Sequence, residues 1–358
     1  MKTKQIIYLS SIALAISITS CKKDNPESPT SSSIAPSYNN GVFIINQGPF
    51  QTGTGTVSFY SRSSSTVSND IFQSKNSYPL GNVVQSMAIY NSRGYIVVNN
   101  AGKVEVVDEN SFASNGEITG LTNPRYFLGI NNSKGYISQW NSTGAGSIKV
   151  INLTTNTITA NIPTGFGAEN MLKLGNAVYV ACSGGFGNDS VLTVIDATAD
   201  TVVKNINVGA NPNCIQSDAN GKIWVLCAGQ YNSTYSSLVK TGSLYRINPT
   251  TNTVELSLSF SSTTSQPANL VINNTQTMLY YTYNGGVYSQ DITSTSLNMV
   301  TKIGRSFFSL GIDPTNNYIY AADAGNNISN GKVVRYNPTG IVVDSFSVGV
   351  IPGNFCFH

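Results

Sequence analysis

The chain has 358 residues, of which only 10% are charged, and its 20 Lys and Arg against 17 Asp and Glu give a net charge of +3. Globular proteins usually contain roughly 25% charged residues. Because this small net charge creates no strong positive electrostatic potential, charge-driven binding to nucleic acid or to an anionic membrane surface is excluded. The length admits one large all-β domain or two ordinary domains.

The chain begins with the pattern of an export signal. A lysine-containing start precedes an apolar segment, 6–18, of signal-peptide length that is too short to span a membrane as a mature helix. Ile-Thr-Ser-Cys at 18–21 resembles the bacterial lipobox, in which the Cys is lipidated and becomes the mature N-terminus. We therefore predict a signal peptide at 1–20 and lipidation of Cys21. The alternative is an ordinary secretory signal cut near Ser20.

Residues 21–38 are rich in Ser and Pro and lack periodicity, which is typical of a flexible tether. The short Lys/Asp cluster after Cys21 resembles the surface-export signal of Bacteroidetes lipoproteins. This resemblance implies an outer-membrane, lipid-anchored protein whose folded domain, 39–358, lies at the cell surface.

The folded domain repeats a unit of four short apolar segments and shows no helical periodicity after residue 38. In the fifth unit the segments are 213–218, 222–229, 242–252 and 253–260. The second segment is apolar throughout, as expected of a strand covered on both faces. The third ends in a polar turn of Asn, Pro and Thr. The pattern predicts an all-β fold.

Aligning the first segments of the units places seven residues in register: Ser86, Tyr126, Asn170, Asn213, Asn269, Phe308 and Asn354. Their spacings are 40, 44, 43, 56, 39 and 46 residues, and a four-stranded propeller blade takes roughly 40–45 residues. The long interval contains an insertion, 229–242. We therefore predict a seven-bladed β-propeller with four antiparallel strands per blade.

The ends of the domain predict how the ring closes. The segments 41–48, 55–61 and 65–70 match the second, third and fourth strands of a blade, and 351–358 matches a first strand. The C-terminal strand should therefore complete the first blade and remove the free edges.

Two cysteines are predicted to face each other across a hairpin. Asn220-Gly221 is typical of a type I′ turn, which would pair Ala219 with Lys222 and place Cys214 opposite Cys227. A disulfide in an oxidising compartment is one interpretation. The other is a pair of small buried residues that are neighbours.

Two segments, SIKVINLTTNTITANIPTG at 147–165 and VLTVIDATADTVVKNINVG at 191–209, resemble YVTN-type propellers. The opening from residue 41 resembles that of propeller lipoproteins of Bacteroidetes, and together the resemblance covers about 40–358. Some members of that group are surface cobalamin-binding proteins that serve a TonB-dependent transporter. The resemblance therefore implies a propeller fold and offers corrinoid capture as one function.

Groups suited to catalysis are sparse. A Ser-His-Asp triad would need the single histidine, His358, which the register places on the lower face. No Cys/His cluster has zinc spacing, and the loop 323–331 lacks the alternating acids of a calcium loop. We therefore predict a protein that is not an enzyme and has no cofactor or metal. The alternative is a propeller lyase or hydrolase that uses the central channel.

The innermost strands of a propeller begin at its upper face, so the register residues should ring the top of the channel. We predict ligand contacts there from Arg125, Tyr126, Asn170, Asn213, Asn269, Phe308 and Asn354. Asparagine side chains offer both donors and an acceptor. The alternative is that these asparagines cap turns.

The upper loops carry five aromatic residues: Phe50, Phe166, Phe186, Tyr231 and Tyr235. Such rings suit stacking on a sugar, a corrin or a partner protein, and local packing of long loops is the alternative. Tyr231 and Tyr235 lie in the insertion, where function tends to sit on a regular scaffold. We predict a surface lipoprotein that binds a small molecule or a protein partner and delivers it to an outer-membrane transporter.

Overall fold

The computed structural model describes residues 37–358. The predicted signal peptide, the lipidation site at Cys21 and nearly all of the predicted tether lie outside this range. The described chain forms seven four-stranded antiparallel sheets, so the predicted seven-bladed β-propeller is confirmed. No helix in residues 37–358 is long and apolar enough to cross a membrane.

The first blade combines both ends of the domain, and the next three are continuous in sequence. From the innermost strand outward, blade 1 contains β30 (Pro352–Phe357), β1 (Gly41–Asn46), β2 (Thr56–Ser61) and β3 (Val67–Ser68). Blade 2 contains β4 (Val84–Tyr90), β5 (Arg93–Val98), β6 (Lys103–Asp108) and β7 (Ser114–Ile118). Blade 3 contains β8 (Pro124–Asn131), β9 (Lys134–Trp140), β10 (Ala145–Asn152) and β11 (Thr157–Phe166). Blade 4 contains β12 (Ala168–Leu174), β13 (Ala177–Cys182), β14 (Val191–Asp196) and β15 (Thr201–Asn207).

The remaining blades follow the same order, and blade 5 carries the insertion as an extra hairpin. Blade 5 contains β16 (Pro212–Ser217), β17 (Ile223–Cys227), β20 (Ser243–Asn248) and β21 (Thr253–Ser259), and its extra hairpin is β18 (Gln230–Tyr231) with β19 (Leu238–Lys240). Blade 6 contains β22 (Ala268–Ile272), β23 (Met278–Tyr283), β24 (Gly286–Asp291) and β25 (Thr301–Ile303). Blade 7 contains β26 (Ser309–Ile312), β27 (Ile319–Asp323), β28 (Asn330–Tyr336) and β29 (Val342–Val350).

The innermost strands contact one another around a ring that closes from β30 back to β4. Strand β30 pairs with β1, with Cys356 opposite Phe43 and Asn354 opposite Ile45. The C-terminal strand therefore completes the first blade, as predicted. This pairing covers the edge of β1 that would otherwise be open to another chain.

The hydrophobic core lies between the blades. At the junction of blades 2 and 3, the Tyr95 ring stacks on Phe127 at 3.8 Å between centroids, beside the buried Ile137 and Ile151. All five residues of β17 are buried, which matches its uniformly apolar sequence. Because each sheet buries both faces against its neighbours, no blade is stable by itself.

One short helix, α1 (Ile71–Asn76), differs from the expectation of a domain without helix. It follows β3 and buries Ile71 and Phe72, and Phe72 lies 6.5 Å from Phe112 between ring centroids. Six residues form fewer than two turns of helix, which is too short for a helical repeat of apolar residues to appear in the sequence.

The hairpin between β16 and β17 also differs from its prediction. The Asp218 carboxylate accepts hydrogen bonds from the backbone N–H groups of Asn220 and Lys222, both at 2.9 Å, and Gly221 has a φ of 68°. Asp218 rather than Ala219 therefore closes the turn with Lys222. The three-residue turn with a left-handed glycine replaces the predicted two-residue turn.

The longer turn changes which residues face each other. Cys214 lies opposite Leu226, and a bulge puts Pro212 opposite Cys227. The predicted facing of Cys214 and Cys227 is therefore wrong, and the four cysteines of residues 37–358 are all free thiols. The structure agrees more closely with the alternative of two neighbouring small residues, of which Cys227 is buried and Cys214 is half-buried.

Candidate functional site

A central cavity of about 320 Å³ follows the innermost strands. Its lining comes from six of the seven blades, and the blade 2 strand is missing from it. Polar side chains line the upper part, and Ile272, Ile312 and Phe357 line the lower part. The cavity has the dimensions of a small-ligand site, for which roughly 300–1,000 Å³ is usual.

Four of the predicted contact residues line this cavity: Tyr126, Asn170, Asn269 and Asn354. The lining residues that sequence reasoning missed include Cys214, Gln216 and Ser309. Gln216 and Ser309 follow the aligned position by three residues and by one residue. Alternation along a strand assigns such odd offsets to the opposite face, so the repeat gave no signal for them.

The other aligned residues have different surroundings. Phe308 precedes β26, is 45% exposed and does not line the cavity. Asn213 also lies outside the lining, and its Oδ1 atom is buried without a hydrogen-bond partner in the described domain. Ser86 donates from its hydroxyl to the Arg125 carbonyl at 2.7 Å. The register therefore identified the innermost strands more accurately than the channel-lining side chains.

Asn269 shows that the turn-holding alternative is correct for at least one asparagine. Its backbone has a φ of 59°, in the left-handed region that asparagine tolerates. Its Nδ2 donates to Thr282 Oγ1 and to the Phe308 carbonyl, both at 3.1 Å. Asn269 therefore lines the cavity and also ties blade 6 to the start of blade 7.

Arg125 is engaged by protein groups rather than free for a ligand. Its guanidinium donates to both carboxylate oxygens of Glu169, with the shortest contact at 2.8 Å, and to Gln85 Oε1 at 2.7 Å. It also lies over the Trp140 ring, 4.3 Å from the centroid. This network joins blades 2, 3 and 4 at the upper end of the innermost strands.

Sequence reasoning missed Gln85 and Glu169, although a signal was present. Gln85, Arg125 and Glu169 each precede an aligned residue by one position, so they stand at the same level on three neighbouring strands. An arginine between a carboxylate and an amide at one level of a ring indicates a charge-assisted network.

The protonation states at this level follow from burial and pairing. Burial raises the pKa of the Tyr126 hydroxyl far above its usual value, and the Glu169 carboxylate raises it further. Burial by itself would lower the pKa of Arg125, but the paired Glu169 raises it overall. The cavity therefore presents a neutral tyrosine that can donate a hydrogen bond, next to a closed ion pair.

A second cavity, of about 680 Å³, lies on the upper face between the 183–190 loop of blade 4 and the insertion of blade 5. We call it the aromatic groove. Its aromatic residues are Phe186, Tyr231 and Tyr235, three of the five predicted loop aromatics. Phe50 and Phe166 are exposed but do not line it. The groove brings together residues that are 49 positions apart between Phe186 and Tyr235.

The buried cysteines are poor nucleophiles. Burial raises the pKa of Cys214 to about 11 and that of Cys227 to about 12. The thiolate is the reactive form of cysteine, so these side chains remain protonated near neutral pH. Cys214 contributes a small apolar surface to the central cavity.

His358 lies at the lower end of β30, where the register placed it. Its Nδ1 lies 2.7 Å from the Tyr38 carbonyl, and its ring stacks on Phe43 at 6.0 Å between centroids. Within residues 37–358, no three His, Cys, Asp or Glu side chains are grouped to hold a metal ion. In the 323–331 loop, the Asp323 carboxylate pairs with Arg305 and accepts from the Gly325 N–H.

No curated protein matches the chain, but solved structures share its fold. A quinonprotein alcohol dehydrogenase-like protein from Bacteroides thetaiotaomicron is 16% identical, with a TM-score of 0.67 over 90% of this chain and 79% of that one. The periplasmic gluconolactonase of Pseudomonas aeruginosa is 11% identical, with a TM-score of 0.64 over 88% of this chain and 98% of that one. The hydrazine synthase of Kuenenia stuttgartiensis is 14% identical, with a TM-score of 0.57 over 78% of this chain and 92% of that one. At these identities the likeness concerns the fold alone.

The prediction that the protein is not an enzyme is contradicted by these neighbours. They include a gluconolactonase and a protein similar to alcohol dehydrogenases, built on the same kind of scaffold. The prediction relied on the scarcity of histidine and of metal-ligand clusters. A scarcity of these groups does not exclude catalysis.

The family assignment comes from the sequence of the propeller itself. A family model described as a domain of unknown function, DUF5074, matches residues 40–349. The match extends from the first strand of the domain to the last strand of blade 7. The chain therefore belongs to the DUF5074 family.

Proposed function

We propose that this propeller binds a small polar molecule in the upper part of its central cavity. The observation that carries the proposal is the convergence of polar side chains from five blades on one cavity of about 320 Å³: Tyr126, Asn170, Asn269, Ser309 and Asn354. Binding sites of small molecules combine an enclosed cavity with a few convergent polar groups.

The chemistry of the lining favours an uncharged ligand with hydroxyl, carbonyl or amide groups. The amide side chains offer donors and acceptors, and the protonated Tyr126 hydroxyl is a further donor. The Arg125 and Glu169 charges neutralise each other at 2.8 Å. An ionic ligand would have to compete with that bidentate pair.

The cavity is also the place where this scaffold would carry out catalysis, so the proposal includes turnover of the bound molecule as a second candidate function. It is favoured by the Tyr126 hydroxyl, which lines the cavity, and by the buried Glu169 carboxylate, which directly precedes the lining residue Asn170 on β12. A buried carboxylate and a phenol are groups that enzymes use for proton transfer.

The cellular setting of the proposal comes from the sequence. The lipobox at 18–21 supports anchoring through Cys21 to the outer membrane, with the domain at the cell surface. Delivery of the ligand to a TonB-dependent transporter is the finer proposal that the resemblance to Bacteroidetes propeller lipoproteins supports. Cobalamin is the finer proposal for the ligand.

The cavity sets a condition on the cobalamin proposal. A corrin ring with its nucleotide loop is too large to enter about 320 Å³. A corrinoid would therefore lie across the upper face, in contact with the loops that surround the channel mouth. A small ligand would bind inside the cavity, whereas a corrinoid would bind on the loops above it, so the two proposals are tested separately.

Isothermal titration of the purified protein tests the proposal with a library of neutral polar metabolites and, in a separate series, with cobalamin. We expect at least one metabolite to bind, and Asn354→Ala to weaken it about tenfold, the effect of losing roughly 1.4 kcal/mol. Asn132→Ala, which changes an exposed residue outside the cavity, is the matched control. Flat titrations with the whole library, from a folded protein, would overturn the proposal for the channel.

The same titrations distinguish binding from turnover and from corrinoid capture. A metabolite that is consumed during titration, and is no longer consumed by the Glu169→Gln variant, would identify catalysis. Cobalamin binding that Asn354→Ala leaves unchanged would place a corrinoid on the upper face outside the cavity.

A further inference from the structure

We propose that the aromatic groove is a binding site for a neutral carbohydrate, separate from the central cavity. The groove lies between blades 4 and 5 and has a volume of about 680 Å³. Its lining shares no residue with that of the central cavity. The proposal and its test therefore do not depend on whether the channel binds a ligand.

The groove exposes aromatic rings that are individually held in place. Phe186 is 66% exposed, and its ring makes a T-shaped contact with Trp140 at 5.7 Å between centroids. Tyr235 is 80% exposed and lies 6.2 Å from the Tyr231 ring, at an interplanar angle of 46°. Exposed aromatic rings on one groove are unfavourable in water unless a ligand covers them.

The groups between the rings are polar and uncharged. The polar residues of the lining are Ser183, Asn188, Asn211, Gln230, Asn232, Ser233 and Gln266, and no Asp, Glu, Lys or Arg is among them. The amides of Asn211 and Asn232 are bound within the loops. Those of Asn188, Gln230 and Gln266 keep donors or acceptors for the hydroxyls of a sugar. The C–H face of a pyranose ring covers an aromatic ring, and a charged ligand would find no partner here.

Hydrogen bonds within the insertion preorganise its wall of the groove. The Asn232 Oδ1 accepts from the Ser236 N–H at 3.0 Å, and its Nδ2 donates to the hydroxyls of Ser236 and Ser237. This turn holds Tyr235 at a φ of 55°. The Tyr231 hydroxyl donates to the Thr264 carbonyl at 3.4 Å. A rigid groove loses little conformational entropy on binding.

The opposite wall is also fixed by close backbone packing. The Gly167 N–H donates to the Gly144 carbonyl at 2.8 Å, and the Ser183 N–H donates to the Gly167 carbonyl at 2.8 Å. Gly167 has a φ of 66°, and a Cβ there would lie 2.0 Å from the Gly185 nitrogen. Only glycine lets these upper loops approach this closely and support Phe186.

Other occupants fit these observations less well. A hydrophobic protein partner needs a continuous apolar patch, whereas here amides separate the rings. Cobalamin is larger than the groove and would contact it only at one edge. A saccharide of one or two rings fits both the volume and the alternation of rings with amides.

Saturation-transfer difference NMR of the purified protein tests the proposal with maltose, cellobiose, lactose and N,N′-diacetylchitobiose. We expect at least one disaccharide to receive transfer through its ring protons. Phe186→Ala and Tyr235→Ala should each weaken its binding about tenfold or more, whereas Tyr235→Trp should retain it. Phe50→Ala, which removes another exposed upper-face ring that is 64% exposed, should have no effect.

Unchanged melting temperatures would show that the variants are folded. The proposal is overturned if none of the four disaccharides receives transfer, or if Phe50→Ala weakens binding as much as Tyr235→Ala. Displacement of the bound sugar by cobalamin would also overturn it, since the groove would then belong to a corrinoid site.

Discussion

The Arg62 guanidinium donates two hydrogen bonds to the Asp313 carboxylate, at 2.7 and 3.1 Å, although 251 residues separate them in sequence. Arg62 follows β2 in blade 1, and Asp313 follows β26 in blade 7. The same guanidinium donates to the carbonyl of His358 at 2.6 Å. One side chain on the lower face therefore joins the N-terminal hairpin, the closing strand and the neighbouring blade.

Arg62→Ala should destabilise the propeller at this junction. The Asp313 side chain is fully buried, and removing its partner leaves an unpaired buried charge at a cost of about 3 kcal/mol. Thermal and urea unfolding would measure the loss. Arg305→Ala, at an exposed ion pair with Asp323, is the matched control and should lose less than about 1 kcal/mol. Equal losses of stability from the two variants would contradict a stabilising role for the Arg62–Asp313 pair.

Asp313 should also make stability depend on pH. Burial by itself would raise the pKa of Asp313, but hydrogen bonds from Arg62 and Thr315 lower it overall. Its folded pKa lies below an unfolded value of about 3.9. The stabilisation is therefore complete above that value and is lost as the pH falls through the folded pKa.

Urea unfolding between about pH 5 and pH 2 would measure this contribution. Asp313→Asn should be less stable at the upper pH and should lose less stability on acidification than the unmodified protein. Parallel curves for Asp313→Asn would show that this carboxylate makes no such contribution.

The Arg125–Glu169 ion pair should stabilise the fold, and replacing only one of its two residues should lower the free energy of unfolding strongly. Arg125→Met leaves the Glu169 carboxylate buried without its cation and should cost about 3 kcal/mol. The double variant Arg125→Met/Glu169→Leu removes both charges, so much of the lost free energy of unfolding should return. Chemical denaturation of Arg125→Met, Glu169→Leu and the double variant measures this coupling. A double variant that loses the sum of the two single losses would contradict it.

The thiols of the domain should be unreactive in the folded protein. Burial raises the pKa of Cys182 to about 11 and that of Cys356 to about 12, like those of Cys214 and Cys227. We expect iodoacetamide at neutral pH to label none of the four unless the protein is unfolded, as read by peptide mass spectrometry. Labelling of all four in guanidinium without a reductant is expected. A Cys214–Cys227 pair that resists labelling there would show a disulfide.

The comparison between sequence and structure at the β16–β17 hairpin shows why local patterns predict some features and miss others. Asn220-Gly221 correctly indicated a turn. Asp218 closes this turn, because its carboxylate bonds the turn and its other oxygen accepts a hydrogen bond from the buried Trp224 indole at 2.8 Å. A shift of one residue in the closing pair was enough to move Cys214 opposite Leu226.

The sequence by itself determined the number of blades, their strands and the closure by residues 352–357, because each blade repeats its own hydrophobic and turn pattern within about 40–45 residues. It also indicated the insertion that forms one wall of the aromatic groove. Only the tertiary structure decided that Arg125 is bound by Glu169, that Phe308 lies outside the channel and that Phe186 lies across a groove from Tyr235. These relationships join different blades, and their geometry depends on how neighbouring sheets pack rather than on the repeat within either sheet.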